Sequence, residues 1–158
     1  MKRTATISEC GRYRYDLTRT WDEGGETCAF VCLNPSTADA DTDDATVRRC
    51  IGFAKFWGYG RLAVLNAYAF RPTDPSALKA AADPRGARND EFLATWRDRA
   101  GVVIAAWGTH CAADRAKEIR GLMPDLHYLH LTKRGAPGHP LYLPGGLRPK
   151  LWIAQDRR

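Results

Sequence analysis

A chain of 158 residues, 44% of them hydrophobic, has room for one domain with a core of its own, because a domain near 150 residues buries roughly 70% of its unfolded surface. Its net charge of +6 permits phosphate contacts without requiring them, since many soluble proteins are as basic. No stretch approaches the ~20 apolar residues of a spanning helix, and Met1-Lys2-Arg3-Thr4 carries no apolar export core; both argue against a membrane protein, and the expectation is a cytoplasmic protein that is a monomer.

In chain order, Thr4-Ala5-Thr6-Ile7-Ser8 and Tyr13-Arg14-Tyr15-Asp16-Leu17 alternate in type around Gly11, which predicts an N-terminal β-hairpin guarding a sheet edge. Thr27 to Leu33 is apolar on both faces and reads as a central strand stopped by Asn34-Pro35-Ser36. From Asp43 to Trp57, the residues Val47, Cys50, Ile51, Ala54 and Trp57 recur at helical spacing, with Asp43 and Asp44 at the positive end of the dipole and Gly58 after the last turn. Arg61 to Phe70 supplies a second buried strand, ended by Arg71-Pro72-Thr73-Asp74-Pro75. A short helix over Ser76–Ala82 and a longer one over Asn89–Arg99 follow, the latter with Phe92, Leu93 and Trp96 on one side. Gly101 to Trp107 is a third buried strand, and Gly108-Thr109 leads into a helix from His110 to Leu122 with Thr109 as its cap. Leu126 to Leu131 forms a last strand before the Gly/Pro-rich Thr132–Pro149. This alternation predicts one α/β domain over residues 1–158, a three-layer α/β/α sandwich about a mainly parallel central sheet.

Three polar clusters fall where apolar runs end: Asn34-Pro35-Ser36, Asn66, and His139-Pro140. Strands of a parallel sheet share one rim at their carboxyl ends, and ligands bind in the crevice there, so the three clusters predict a site. Asn offers donors and an acceptor, and His either role near neutrality, which suits a planar hydrogen-bonding ligand such as a nucleobase. Each cluster also has a plainer reading. Asn, Pro and Ser dominate turns, His139 fits a rigid loop, and Asn66, which would cost ~1–3 kcal/mol if buried unpaired, meets either a loop backbone or a ligand.

The acidic run Asp39-Ala40-Asp41-Thr42-Asp43-Asp44 is no EF-hand, because Asp44 stands where the loop needs Gly and Cys50 where it needs Glu; a solvated helix entry is the leading reading and magnesium a minor one. The five cysteines, Cys10, Cys28, Cys32, Cys50 and Cys111, form no C-x-x-C pair and read as reduced thiols. His110 reads as a first-turn helix residue, and His127 and His130 have no ligand spacing, so neither a metal site nor a cofactor is expected. Of Arg48 and Arg49, one is expected on a solvated helix face. Phe53, Phe56 and Trp57 read as packing residues.

Asn34-Pro35-Ser36-Thr37-Ala38-Asp39, Thr46 to Ala54, Trp57-Gly58-Tyr59-Gly60, Ala106-Trp107-Gly108 and His139-Pro140-Leu141-Tyr142-Leu143 together resemble the bacterial and phage family catalogued as domain of unknown function 1643. That family brings no established activity. The order of the three polar clusters is also similar to the uracil-DNA glycosylase superfamily, and this second resemblance implies a glycosylase-like fold and a set of roles. Asn34 before Pro35 would position the attacking water, Asn66 would read the base edge, and His139 would support charge on the departing base. Val64-Leu65-Asn66-Ala67-Tyr68 before Arg71-Pro72 is similar to the strand of its thermophile-type members. Pro35, Ser36, Tyr68, Leu141 and Tyr142 would line the base site, with Leu141, Tyr142 and Leu143 as an apolar wedge. Arg48, Arg71, Lys133 and Arg134 would meet phosphate. Three departures stand out: an amide is no general base, Leu141 replaces the serine usual after His-Pro, and no cysteine set for an iron–sulfur cluster is present.

These readings predict a protein that binds a nucleobase or nucleotide within nucleic acid and hydrolyses an N-glycosidic bond. The alternative is a binding module that keeps the pocket without the chemistry; a metal enzyme built on the aspartate run ranks third.

Overall fold

A computed structural model describes residues 1–35, 38–71 and 82–153. The sheet has seven strands: β1 (Lys2–Ile7), β2 (Arg14–Thr20), β3 (Thr27–Cys32), β4 (Arg61–Asn66), β5 (Val102–Ala105), β6 (His127–Tyr128) and β7 (Lys150–Leu151), in the spatial order β1-β2-β4-β3-β5-β6-β7. Among the described residues three α-helices connect them: α1 (Ala45–Phe56), α2 (Asn89–Arg99) and α3 (Ala113–Leu122). The helix expected over Ser76–Ala82 falls almost wholly within residues 72–81, which lie outside the described residues.

β3 is central because all six of its residues are buried, leaving it no solvent face. It pairs in parallel with β4 on one side and β5 on the other, and β5 pairs in parallel with β6. The side chains alternate between two cores. Cys28, Phe30 and Cys32 meet Val47, Cys50, Ile51 and Phe53 of α1, while Ala29 and Val31 meet Leu93 and Trp96 of α2 and Ile119 of α3. On the α1 side Trp57 stacks on Phe53 and Phe30 at centroid distances of 5.3 and 6.0 Å, and the two phenylalanine rings meet tilted at 6.4 Å. Helices therefore cover both faces of the parallel core.

The sheet is mixed rather than mainly parallel. The N-terminal hairpin forms as expected, β1 against β2, and then adds antiparallel to β4; at the far edge β7 adds antiparallel to β6. Three parallel pairings are thus balanced by three antiparallel ones. β4 stops at Asn66 rather than Phe70, with Phe70 making only an isolated bridge to Tyr13. The helix expected from His110 begins at Ala113, with no side-chain cap from Thr109. The turn before it explains the delay: Gly108 sits at φ +74°, a left-handed conformation that helical residues do not share, and its N–H donates to Pro137 O instead. The strand expected over Leu126–Leu131 pairs only at His127 and Tyr128, apart from a bridge from Leu131 to Pro137.

Candidate functional site

Because β3, β4, β5 and β6 run in parallel, the segments that leave their carboxyl ends share one rim. Asn34 and Pro35 leave β3, Asn66 ends β4 with Tyr68 and Arg71 beyond it, Gly108 follows β5, and the segment from Leu129 to Leu143 follows β6. The exit of β3 is pinned on both sides: Ala67 N–H donates to Cys32 O at 2.7 Å, Tyr68 N–H to Leu33 O at 2.9 Å, and Ala106 N–H to Val31 O at 2.8 Å.

Asn66 is completely buried, and its amide orientation follows from its partners. With Nδ2 turned toward the acceptors it donates to Leu65 O at 3.2 Å and Asn34 O at 3.3 Å, joining two of the expected site residues directly. Its backbone carbonyl accepts from Asn89 Nδ2 at 2.8 Å. Ala67 O accepts from Arg115 Nε at 2.8 Å, so α2 and α3 both hold the end of β4. Asn66 is therefore a brace for the Asn34 loop. Asn34 is half-buried, with Nδ2 donating to Pro35 O at 3.0 Å, and Pro35 is buried. Ser36 lies outside the described residues.

His139 opens a short 3₁₀ helix, Pro140–Tyr142, and caps it: Leu141 N–H donates to His139 Nδ1 at 3.2 Å. That bond assigns the proton of the neutral ring to Nε2, leaving Nε2–H as a donor. Its Cβ lies 3.8 Å from where a side chain on Gly108 would begin, so the β6 segment folds back over the end of β5. Burial pushes the His139 pKa down, opposed by the charge of Asp44. Burial therefore favours the neutral ring.

A folded-state pKa below the unfolded one means that the His139 contribution is present above the ordinary histidine value of about 6.5 and is lost as pH falls through the folded value. Protonating Nδ1 sets two donors against each other. Between about pH 7.5 and about pH 5 the native protein should therefore lose more unfolding free energy than His139→Asn, whose amide oxygen can cap at both pH values. Urea titrations at the two pH values measure it, and parallel losses would show that the cap does not titrate.

The 3₁₀ helix is fixed to α1 by Arg49, which donates from Nε to Pro140 O at 3.3 Å and from a terminal nitrogen to Leu143 O, its guanidinium 5.0 Å over the Phe53 ring. Arg48 is the member of the pair on the solvated face, donating to Asp43 O at 3.1 Å. Leu141 and Tyr142 project outward, 40% and 83% exposed. Tyr68 is half-buried and its hydroxyl accepts from Ala112 N–H at 3.3 Å. Lys133 and Arg134 are exposed on the turn beyond Leu131, and Arg71 is half-buried, donating to Gly11 O at 3.2 Å.

Two arginines of β2 hold the acidic loop from within the fold. Arg19 is fully buried and donates to Asp43 Oδ1 at 2.7 Å, Asp39 O at 2.5 Å and Thr18 O at 2.8 Å. Arg14, 2% exposed, donates to Ala38 O at 2.7 Å, and burial lowers its pKa to about 10. Asp39 accepts from the N–H groups of Asp41 and Thr42, both at 2.8 Å, which hold its carboxyl below the usual range, and Asp44 caps α1 by accepting from Val47 N–H. The acidic run is thus a folded loop clamped from below rather than a merely solvated helix entry. Among the described residues no group of three or more His, Cys, Asp or Glu side chains is arranged to hold a metal ion. No helix of the described residues is long and apolar enough to cross a membrane.

Residues 14–141 match the family model described as a protein of unknown function, DUF1643. No curated protein and no solved structure matches the chain.

Proposed function

The chain belongs to the DUF1643 family, and from the rim geometry we propose that it binds a nucleobase within nucleic acid and hydrolyses the bond joining that base to its sugar. One observation carries the reading: Asn34, at the carboxyl end of β3, is held by buried Asn66 from β4, and His139 lies over the end of β5 with a neutral Nε2–H free of the cap. An uncharged donor suits an oxygen that gains negative charge as a base departs, because it stabilises the developing anion without having to be desolvated as a cation. Asn34 orients the water, since an amide aligns a nucleophile but cannot deprotonate it. Leu141 and Tyr142 form the apolar tip that enters the stack, and Arg48, Arg71, Lys133 and Arg134 meet phosphates along the rim. The glycosylase-like fold belongs to the same proposal, supported by the strand-end order of the three clusters and the helices on both faces of the sheet.

A second reading, a base-binding module without turnover, is favoured by one particular: Asn34 spends its amide N–H on Pro35 O. Both readings meet one assay. Single- and double-stranded oligonucleotides carrying uracil, hypoxanthine or alkylated bases are incubated with the protein and then cleaved at abasic sites with alkali. Affinity is measured as salt rises, where each phosphate contact contributes a slope of roughly 0.7–0.9 in the logarithmic plot. Cleavage with a steep slope is expected. Binding without cleavage selects the module, and no binding at low salt removes nucleic acid from the proposal.

A further inference from the structure

A trough of about 290 Å³ lies away from the rim, on the face of β1 and β2 that α2 leaves uncovered. Its floor is a cross-strand ladder of Lys2 opposite Thr20, Thr4 opposite Thr18, and Thr6 opposite Asp16, all on one side of the hairpin. The ladder is electrostatically polar from end to end. At one end Lys2 and Thr20 continue in register to Arg61 of β4, and Arg99, at the last turn of α2, joins the wall with its guanidinium 4.4 Å over the Trp96 ring. Glu23 is the one acid at that end, against three cations. At the other end stands Asp16.

Asp16 is the unusual group. It is 7% exposed, its Oδ2 accepts from Trp96 Nε1 at 2.9 Å, and no cation among the described residues pairs with it. A buried carboxylate is costly unless its remaining lone pairs are met, and this one borders the trough. Being acceptor-only, it selects a donor. At the cationic end, Lys2, Arg61 and Arg99 with the Thr20 hydroxyl form the mixture of point charges, planar forks and hydroxyls that proteins use for phosphate. The two ends are four residues apart along β2, a span of roughly 13 Å. That is the reach of a nucleotide from its phosphate to the far edge of its base, and the volume falls near the lower end of small-ligand pockets, about 300 Å³.

We propose that this trough is a binding site for a nucleoside monophosphate whose base carries an exocyclic amino group, with the phosphate between Lys2, Arg61 and Arg99, the sugar over the Thr4 and Thr18 hydroxyls, and the amino group donating to Asp16. The site shares no residue with the rim, so its fate is independent of the glycosidic reading.

AMP, IMP, CMP and UMP are the probes, because AMP differs from IMP, and CMP from UMP, at the amino position that Asp16 would read. Titration by calorimetry at millimolar nucleotide, with amide shifts followed by NMR, should show AMP and CMP binding about 10-fold more tightly than IMP and UMP, a difference of about 1.4 kcal/mol. Shifts should centre on Thr4, Thr18 and Thr20. Arg99→Ala, at an exposed position, should weaken all four at least several-fold. Asp16→Asn should cancel or reverse the preference, since the amide keeps an acceptor for Trp96 and turns a donor into the trough. Equal affinity for AMP and IMP, no saturable binding at millimolar nucleotide, shifts confined to the rim, or indifference to Arg99→Ala would each overturn the proposal, and all four do so even if the Asp16 variant fails to fold.

Discussion

Arg19→Ala is expected to lower the unfolding free energy by about 3–5 kcal/mol, the range for removing one partner of a buried charge pair. The guanidinium is fully buried and gathers Asp43, the Asp39 carbonyl and the Thr18 carbonyl into one fork, so truncation strands Asp43 in a partly buried position and frees two carbonyls at once. Arg19→Lys should recover only part of the loss, because an ammonium is a point charge without a planar fork. Arg3 supplies the contrast. It stands 3.9 Å from the same carboxylate with its side chain 41% exposed, and Arg3→Ala should change stability by no more than about 0.5 kcal/mol. Guanidinium-chloride unfolding of the three variants tests the contrast; a loss below about 1 kcal/mol for Arg19→Ala would mean that the clamp carries little of the loop's stability.

The parts of the fold legible in the sequence are those where one physical signal dominates. Thr27 to Leu33, Leu62 to Leu65 and Val102 to Ala105 are apolar on both faces, a pattern that suits only strands covered from two sides, and β3, β4 and β5 follow. The recurrence of Val47, Cys50, Ile51 and Ala54 specifies the buried face of α1, whereas Asp44, expected only at the positive end of its dipole, turns out to be its cap. Short elements escaped because pairing of two residues leaves almost no pattern: β7 has only Lys150 and Leu151, both exposed, and it exists through hydrogen bonding to β6.

Buried charge is the part of the fold that the sequence hides most. Arg14 and Arg19 look like any basic pair in a hairpin, and nothing local marks them as buried, since burial depends on carbonyls some 20 residues later in the chain. The same clamp converts the aspartate run from a solvated segment into a folded loop. At the rim, the order of the clusters was legible because strand ends can be located. The division of labour was not, because whether Asn66 faces a ligand or the Asn34 carbonyl depends on a side-chain orientation that a buried strand pattern leaves open. Asn89 and Arg115, which secure the end of β4, carry no sequence signal beyond their places in amphipathic helices.

Under the proposed glycosidic function, His139→Ala is expected to reduce single-turnover base release by ~10²–10³-fold, the effect of removing one preorganised donor to a developing anion. Affinity for the oligonucleotide should change far less, since that donor matters most when charge appears on the base. Asn34→Ala should also depress the rate, through loss of an oriented water, with binding nearly intact. Asn66→Asp separates bracing from contact: a carboxylate facing the Leu65 and Asn34 carbonyls sets acceptor against acceptor, so this variant should melt earlier than the native protein and lose rate through displacement of the Asn34 loop. Thermal melts on all three variants are required, because His139 also caps the 3₁₀ helix and its truncation removes the bond from Leu141 N–H. His139→Asn resolves that ambiguity. It can restore the cap but presents no Nε2–H at the same reach, so recovered stability with an unrecovered rate assigns the donor a chemical role, whereas recovery of both would assign it a structural one.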